Sequence, residues 1–176
     1  MAGGIDIVII KKNGLADAGA SVFSEVAETL CFALRRLGID ALGERGLTVV
    51  SLQHYYGALR DRFVADAKLV LNLHYYEAGI FEIVRVSHLL SNRKAVLAER
   101  HPDTEIDPDL PDAMAFAPYD GLVEAACALV ADDARRAALA EAGQRRMRDR
   151  DAAALMRNAA ADLGLSLAEP GALTGS

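Results

Sequence analysis

The chain contains no tryptophan, only two cysteines, five prolines and no surplus of cationic side chains. Cys31 and Cys127 are too few and too far apart for a disulfide framework or a zinc ligand set. Their Ala/Leu-rich helical surroundings read as buried, reduced thiols. The net charge of −6 argues against a general electrostatic grip on nucleic acid or anionic lipid, while leaving room for a local cationic pocket. No apolar run approaches the ~18 residues that suggest a membrane span. The opening Met1-Ala2-Gly3-Gly4 lacks the cationic region of a secretory signal, so the expected location is cytoplasmic. The four histidines form no HxH, HxxxH or HExxH pair, and no metal site is expected. Neither GxGxxG nor GxxxxGK[ST] occurs, which removes support from the dinucleotide and P-loop readings. No nucleophile elbow surrounds any serine.

What remains is an ordinary globular composition, 52% hydrophobic and 25% charged over 176 residues. That length favours one domain and is enough to bury roughly 70% of the unfolded surface. Strands are expected at Ile5–Ile10, Leu47–Leu52, Lys68–His74, Lys94–Ala98 and Ala113–Ala117. Helices are expected at Ser24–Leu37, Tyr56–Ala67, Ile80–Leu90 and Gly121–Val130, with Asp120 capping the last. In the third of these, Ile80, Ile83, Val84, Ser87 and Leu90 share the predicted buried face, with Glu82 and Arg85 off it. A strand is the rival reading of that segment, because IFEIVRV also alternates. Lys11–Ala20 and the acidic, proline-broken His101–Pro111 read as loops. A long helical tract runs from Asp132 to about Leu163, its Ala/Arg-rich part read as a solvated helix laced with ion pairs. The Gly/Pro/Ser-rich residues at the C-terminus read as a flexible tail. Strands alternating with helices imply a parallel sheet covered on both faces.

In such a sheet ligands bind beyond the carboxyl ends of the strands. Polar residues collect there: Lys11, Lys12 and Asn13 after the first strand, Gln53 and His54 after the second. After the third come Asn72, His74, Tyr75, Tyr76 and Glu77, and after the fourth Glu99 and Arg100. The third segment is the most informative. Ala78-Gly79 lets a ligand approach backbone, and the helix behind it offers amide N–H groups suited to a phosphate. Glu82 in the first turn could accept hydrogen bonds from ribose hydroxyls, or could simply complement the helix terminus.

The stretch AKLVLNLHYYEAGIFEIVRVSHLLSNRKAVLAE, residues 67–99, resembles the donor-binding half of GT-B glycosyltransferases. It is most similar to bacterial group 1 and spore-maturation glycosyltransferase-like proteins. The pattern rests on Leu71-Asn72 ending a strand, Phe81-Glu82 opening a helix, and a strand from Lys94 ending at Glu99. The likeness reaches weakly through Phe116–Leu129 and back to Gly46–Val50. Residues 21–40 resemble the first helix of the acceptor-side domain instead. The resemblance implies an α/β, Rossmann-like three-layer domain over residues 1–165, residues 166–176 forming the tail. It also implies a five-stranded parallel sheet in the order 3-2-1-4-5, with a helical C-terminus.

By the same resemblance Glu82 holds the ribose of a nucleotide sugar. Backbone at Gly79, Ile80 and Phe81 meets the diphosphate or sugar, Asn72 and His74 line the strand end, and Lys11 or Lys12 takes the place of the usual arginine. No catalytic residue is implied. The expected reaction is metal-independent glycosyl transfer with no tightly bound cofactor. Two features depart from the pattern. The chain holds residues for one Rossmann-like domain where a complete GT-B enzyme has two, and Ser87 stands where a glycine usually ends the glutamate-bearing helix. The alternative is a non-catalytic module that keeps the fold and pairs with a second copy or with a separate acceptor-domain protein.

Overall fold

The computed structural model describes residues 4–10, 40–52, 57–73 and 81–165. The expected helix Ser24–Leu37, the loop Lys11–Ala20, Cys31 and the tail 166–176 lie outside these. Five parallel strands form the sheet: β1 (Ile7–Ile10), β2 (Val49–Leu52), β3 (Leu69–Asn72), β4 (Val96–Glu99) and β5 (Ala115–Ala117). The described helices are α1 (Asp40–Glu44), α2 (Gly57–Asp66), α3 (Ile83–Ser91), α4 (Leu122–Ala131), α5 (Asp133–Asp149) and α6 (Ala152–Asp162). The short α1 is not among the elements expected from sequence.

The sheet order is β2-β1-β3-β4-β5, which corrects the expected 3-2-1-4-5. Burial explains the difference. All four residues of β3, Asn72 included, are buried, as befits a strand flanked on both sides. β2 is only partly covered along Val49, Val50 and Ser51 and takes the edge. Val8 lies between Val50 and Val70, and Leu71 pairs onward to Leu97. The chain therefore steps from β1 outward to β2, crosses back, and proceeds through β3, β4 and β5. This reversal sets the switch point at the carboxyl ends of β1 and β3.

Strand alternation splits the core between the two faces. Val8, Val70, Val96 and Ala98 pack with Val64 of α2 and with Val86, Leu89 and Leu90 of α3. Ile7, Ile9, Leu69, Leu71 and Leu97 pack with Leu42 of α1 and with Leu122, Ala126 and Leu129 of α4. Cys127 is free and only partly buried, less enclosed than its surroundings suggested.

Asp6, just before β1, ties the amino ends of three strands together. Its carboxylate accepts the Thr48 N–H at 2.9 Å and the Lys68 ammonium at 2.6 Å. Partial burial pushes this carboxyl up, but the hydrogen bonds from Lys68 and Thr48 and the nearby positive charge outweigh it, leaving it below its ordinary value. Asp6→Ala is expected to lower stability by about 1 kcal/mol, read as a shifted urea midpoint with unchanged slope.

Three local expectations are corrected. The first turn of α4 is preceded by a 3₁₀ turn, Tyr119–Gly121, so Gly121 is the cap and Asp120 makes no capping bond. The tract expected as continuous helix breaks at Arg150, whose backbone is extended. Asp151 then caps α6 by accepting the Ala154 N–H at 2.8 Å. Finally, α3 begins at Ile83, with Glu82 as its non-helical N-cap residue, and buries Val86, Leu89 and Leu90. Val84, expected on the buried face, is 84% exposed. Apolar residues occupy so many positions between 80 and 90 that periodicity alone does not fix the face, and the observed one is rotated by roughly a quarter turn.

Candidate functional site

Rotation of α3 brings a charged pair to the sheet. β3 is an apolar strand that ends in an amide, and Asn72 shares a face with Val70, the face covered by α3. Asn72 is the one buried polar or charged residue among those described, at 0% exposure. Its Oδ1 accepts a hydrogen bond from a terminal Arg85 nitrogen at 3.2 Å. The other terminal nitrogen of Arg85 forms an ion pair with Glu82 Oε2 at i,i+3 spacing. Both charged side chains are largely covered, 14% exposed for Arg85 and 20% for Glu82. Burial pushes the Arg85 guanidinium down from its usual range, while the Glu82 charge and hydrogen bond act in the opposite direction. An arginine so placed still carries its charge at neutral pH.

The Asn72 Nδ2 atom is fully buried and has no hydrogen-bond partner among the described residues. A buried donor left unpaired costs roughly 1–3 kcal/mol. This orphan sits on the last residue of β3, at the switch point, and its neighbour Arg85 projects from the first turns of α3. The cluster therefore combines a buried donor, a neutralised ion pair and the positive end of a helix dipole.

Of the residues expected at the site, Asn72 and Glu82 are brought together, both through Arg85. Phe81 packs against the same core cluster, its ring centroid 6.2 Å from that of Phe116, which lies two strands over from Asn72 along the register Asn72–Ala98–Phe116. Lys11, His74, Gly79 and Ile80 lie outside the described residues. Arg85 is the member that sequence reasoning missed. Its available signals were the Glu82-x-x-Arg85 spacing and an apolar strand closing on asparagine. Further along the carboxyl edge, the Tyr119 hydroxyl is pushed up by partial burial, then by the charges of Glu99 and Asp120.

A groove of about 320 Å³ lies elsewhere, lined by Ser91, Gln144, Met147 and Arg148. Ser91 ends α3, so this groove sits at the opposite end of the helix from Glu82. Among the described residues no three His, Cys, Asp or Glu side chains are grouped as metal ligands would be.

Six solved chains match this architecture. One of them, described as "Crystal Structure of TarM", superposes with a TM-score of 0.51 at 11% sequence identity. The match covers 90% of this chain and 34% of that one. TarM is a glycosyltransferase. The fold of this chain is α/β and Rossmann-like, similar to that of the matched part of TarM. At this identity the likeness concerns the fold, and the chain spans about one third of the length of TarM. No protein-family model and no curated protein matches the chain. Among the described residues no helix is long and apolar enough to cross a membrane.

Proposed function

We propose that the chain is a nucleotide-sugar-binding domain of GT-B glycosyltransferase type, organised over residues 1–165. The observation that carries this reading is the Asn72–Arg85–Glu82 cluster at the switch point of a Rossmann-like parallel sheet similar in fold to part of TarM. The crevice beyond β1 and β3 is where such a sheet takes its ligand. Glu82, the N-cap residue of α3 by position, offers ribose hydroxyls the carboxylate oxygen that Arg85 leaves free, and the helix terminus behind it attracts the diphosphate. The donor sugar nucleotide is then the ligand, held without a resident cofactor. Glycosyl transfer, in this reading, draws on electrostatic stabilisation of the leaving diphosphate by the helix end and nearby cations.

Calorimetric titration with UDP, GDP, ADP and their sugars tests the reading. Sub-millimolar binding of one nucleotide is expected. Glu82→Ala is expected to weaken it at least about tenfold with the fold intact, the equivalent of one charge-assisted hydrogen bond. No binding by any of these at millimolar concentration overturns the reading.

A second reading, a non-catalytic module that docks a partner in the cytoplasm, is favoured by one observation. Leu155, Met156 and Leu163, on and just after α6, are more than half exposed. A second copy or a separate acceptor-domain protein would fit that face. Light scattering that shows a dimer, together with no nucleotide response, supports the module.

A further inference from the structure

An arginine side chain carries hydrogen-bond donors and no acceptor. The Asn72 atom that faces Arg85 is therefore the amide oxygen, and the amino group faces away from the guanidinium. A free amide could rotate to present either group to a ligand, but Asn72 cannot while Arg85 stays in place. The amino group that results offers two N–H donors, is fully buried, and has no partner among the described residues. Arg85 has a second effect. Its ion pair with Glu82 cancels a negative charge that would otherwise repel an anion at the start of α3. An unpartnered amide donor, an ion pair with no net charge and the positive end of a nine-residue helix together suit a group that accepts. A phosphate oxygen is such a group, whereas a ribose hydroxyl also needs an acceptor.

We propose that Arg85 is a positioning residue that locks the Asn72 amide, so that its amino group donates to a diphosphate oxygen of the bound nucleotide. The proposal rests on the nucleotide-binding reading and assigns within it a contact distinct from that of Glu82. Arg85 itself need not touch the ligand. Its fork reaches two partners at once, which a lysine ammonium on a flexible stem does not reproduce.

The test is calorimetric titration of the full chain with UDP, GDP and ADP, alongside thermal melts of each variant. Asn72→Asp keeps an acceptor for Arg85 and removes both donors. It is expected to retain the melting temperature within a few degrees and to lose affinity at least about tenfold. Asn72→Ala, which adds no negative charge and must show the same loss, is read beside it so that repulsion alone does not account for the result. Arg85→Lys is expected to lose affinity by a similar factor while remaining folded. Combined with Asn72→Ala it should add little further loss, because the two act as one unit. Wild-type affinity in folded Asn72→Asp, Asn72→Ala or Arg85→Lys protein overturns the proposal, and if Glu82→Ala still weakens binding the nucleotide reading stands. Losses in the Asn72 and Arg85 variants with none in Glu82→Ala support the proposal and remove Glu82 from the ribose. A wild-type chain that binds none of the three nucleotides overturns both.

Discussion

Gly143→Leu is expected to prevent stable folding, and Gly143→Ala to cost stability despite improving helix propensity. Gly143 lies inside α5 at a buried position facing α3. A Cβ added there would stand 2.6 Å from Leu90 Cδ2 and 3.0 Å from the Ala113 carbonyl oxygen. The first contact involves a side-chain tip, but Leu90 is fully buried and has nowhere to retreat without disturbing the core beneath it. The second contact is backbone and yields only if the segment before β5 moves. Glycine in a helix interior costs about 1 kcal/mol relative to alanine, so retaining it here reflects the close approach of two helices. For the alanine variant, overpacking of about 1–3 kcal/mol offsets that gain and leaves a net loss of up to about 2 kcal/mol. The three heavy atoms that leucine adds beyond that methyl exceed what either helix can accommodate. Leu90→Ala, which alone should cost about 2–5 kcal/mol, opens space for the new methyl. The double variant Leu90→Ala/Gly143→Ala is thus expected to be more stable than the sum of the two losses by about 1 kcal/mol. Urea titrations of the four proteins check this. A Gly143→Ala protein more stable than the parent by the full propensity gain would show that the two helices do not meet this closely.

The sequence made some features readable and hid others, for physical reasons. The strands were legible because IVII, LVLN and VLAE are short apolar runs that two covered faces demand. Their lateral order was not, since order depends on how completely each strand is covered and not on local pattern. The buried LVLN tetrapeptide and the part-exposed VVSL settle it only once burial is known. The face of α3 was misplaced for a related reason. With Ile83, Val84, Val86, Leu89 and Leu90 all apolar, the hydrophobic pattern accommodates more than one rotation, and tertiary packing selects the one that buries Val86 and exposes Val84. That rotation also determines the site. Glu82 stood out as an acid at a helix entrance, but its partnership with Arg85, and through Arg85 with Asn72, follows only from the selected face. The break at Arg150 was overlooked although RDRD carries a capping signal in Asp151, because the Ala/Arg-rich composition on both sides is uniformly helix-favouring.

Arg150→Ala is expected to lower stability by about 2 kcal/mol and to flatten the dependence of stability on acid pH. Arg150 holds the interval between α5 and α6 against the proline-broken loop before β5. Its Nε donates to Asp109 Oδ2 at 3.0 Å, and one terminal nitrogen donates to Asp109 Oδ1 at 2.6 Å and Asp107 Oδ2 at 2.7 Å. The Asp109 contact is two-pronged, and the Arg150 side chain is mostly covered, so the magnitude lies above that of an ordinary surface ion pair. The hydrogen bond from Arg150 holds the Asp109 carboxyl below its usual range, against a smaller opposing push from partial burial. Those hydrogen bonds also raise the guanidinium, beginning with the pair it donates to Asp109. A carboxyl whose folded value is depressed adds stability that is complete above its unfolded value, near pH 4, and disappears as pH falls through the folded value. The parent should therefore lose melting temperature steadily below about pH 4, with Asp6 contributing in the same direction. Arg150→Ala should begin lower at neutral pH, by about 4–8 °C at ~2–4 °C per kcal/mol for a chain of this size, and converge on the parent as acid removes the interaction. Asp109→Asn should show the same convergence with a smaller neutral-pH loss, because an amide still accepts one of the guanidinium hydrogen bonds. Parallel curves for Arg150→Ala and the parent across pH 7 to 2 would mean that this pair does not link the loop to the helices in solution.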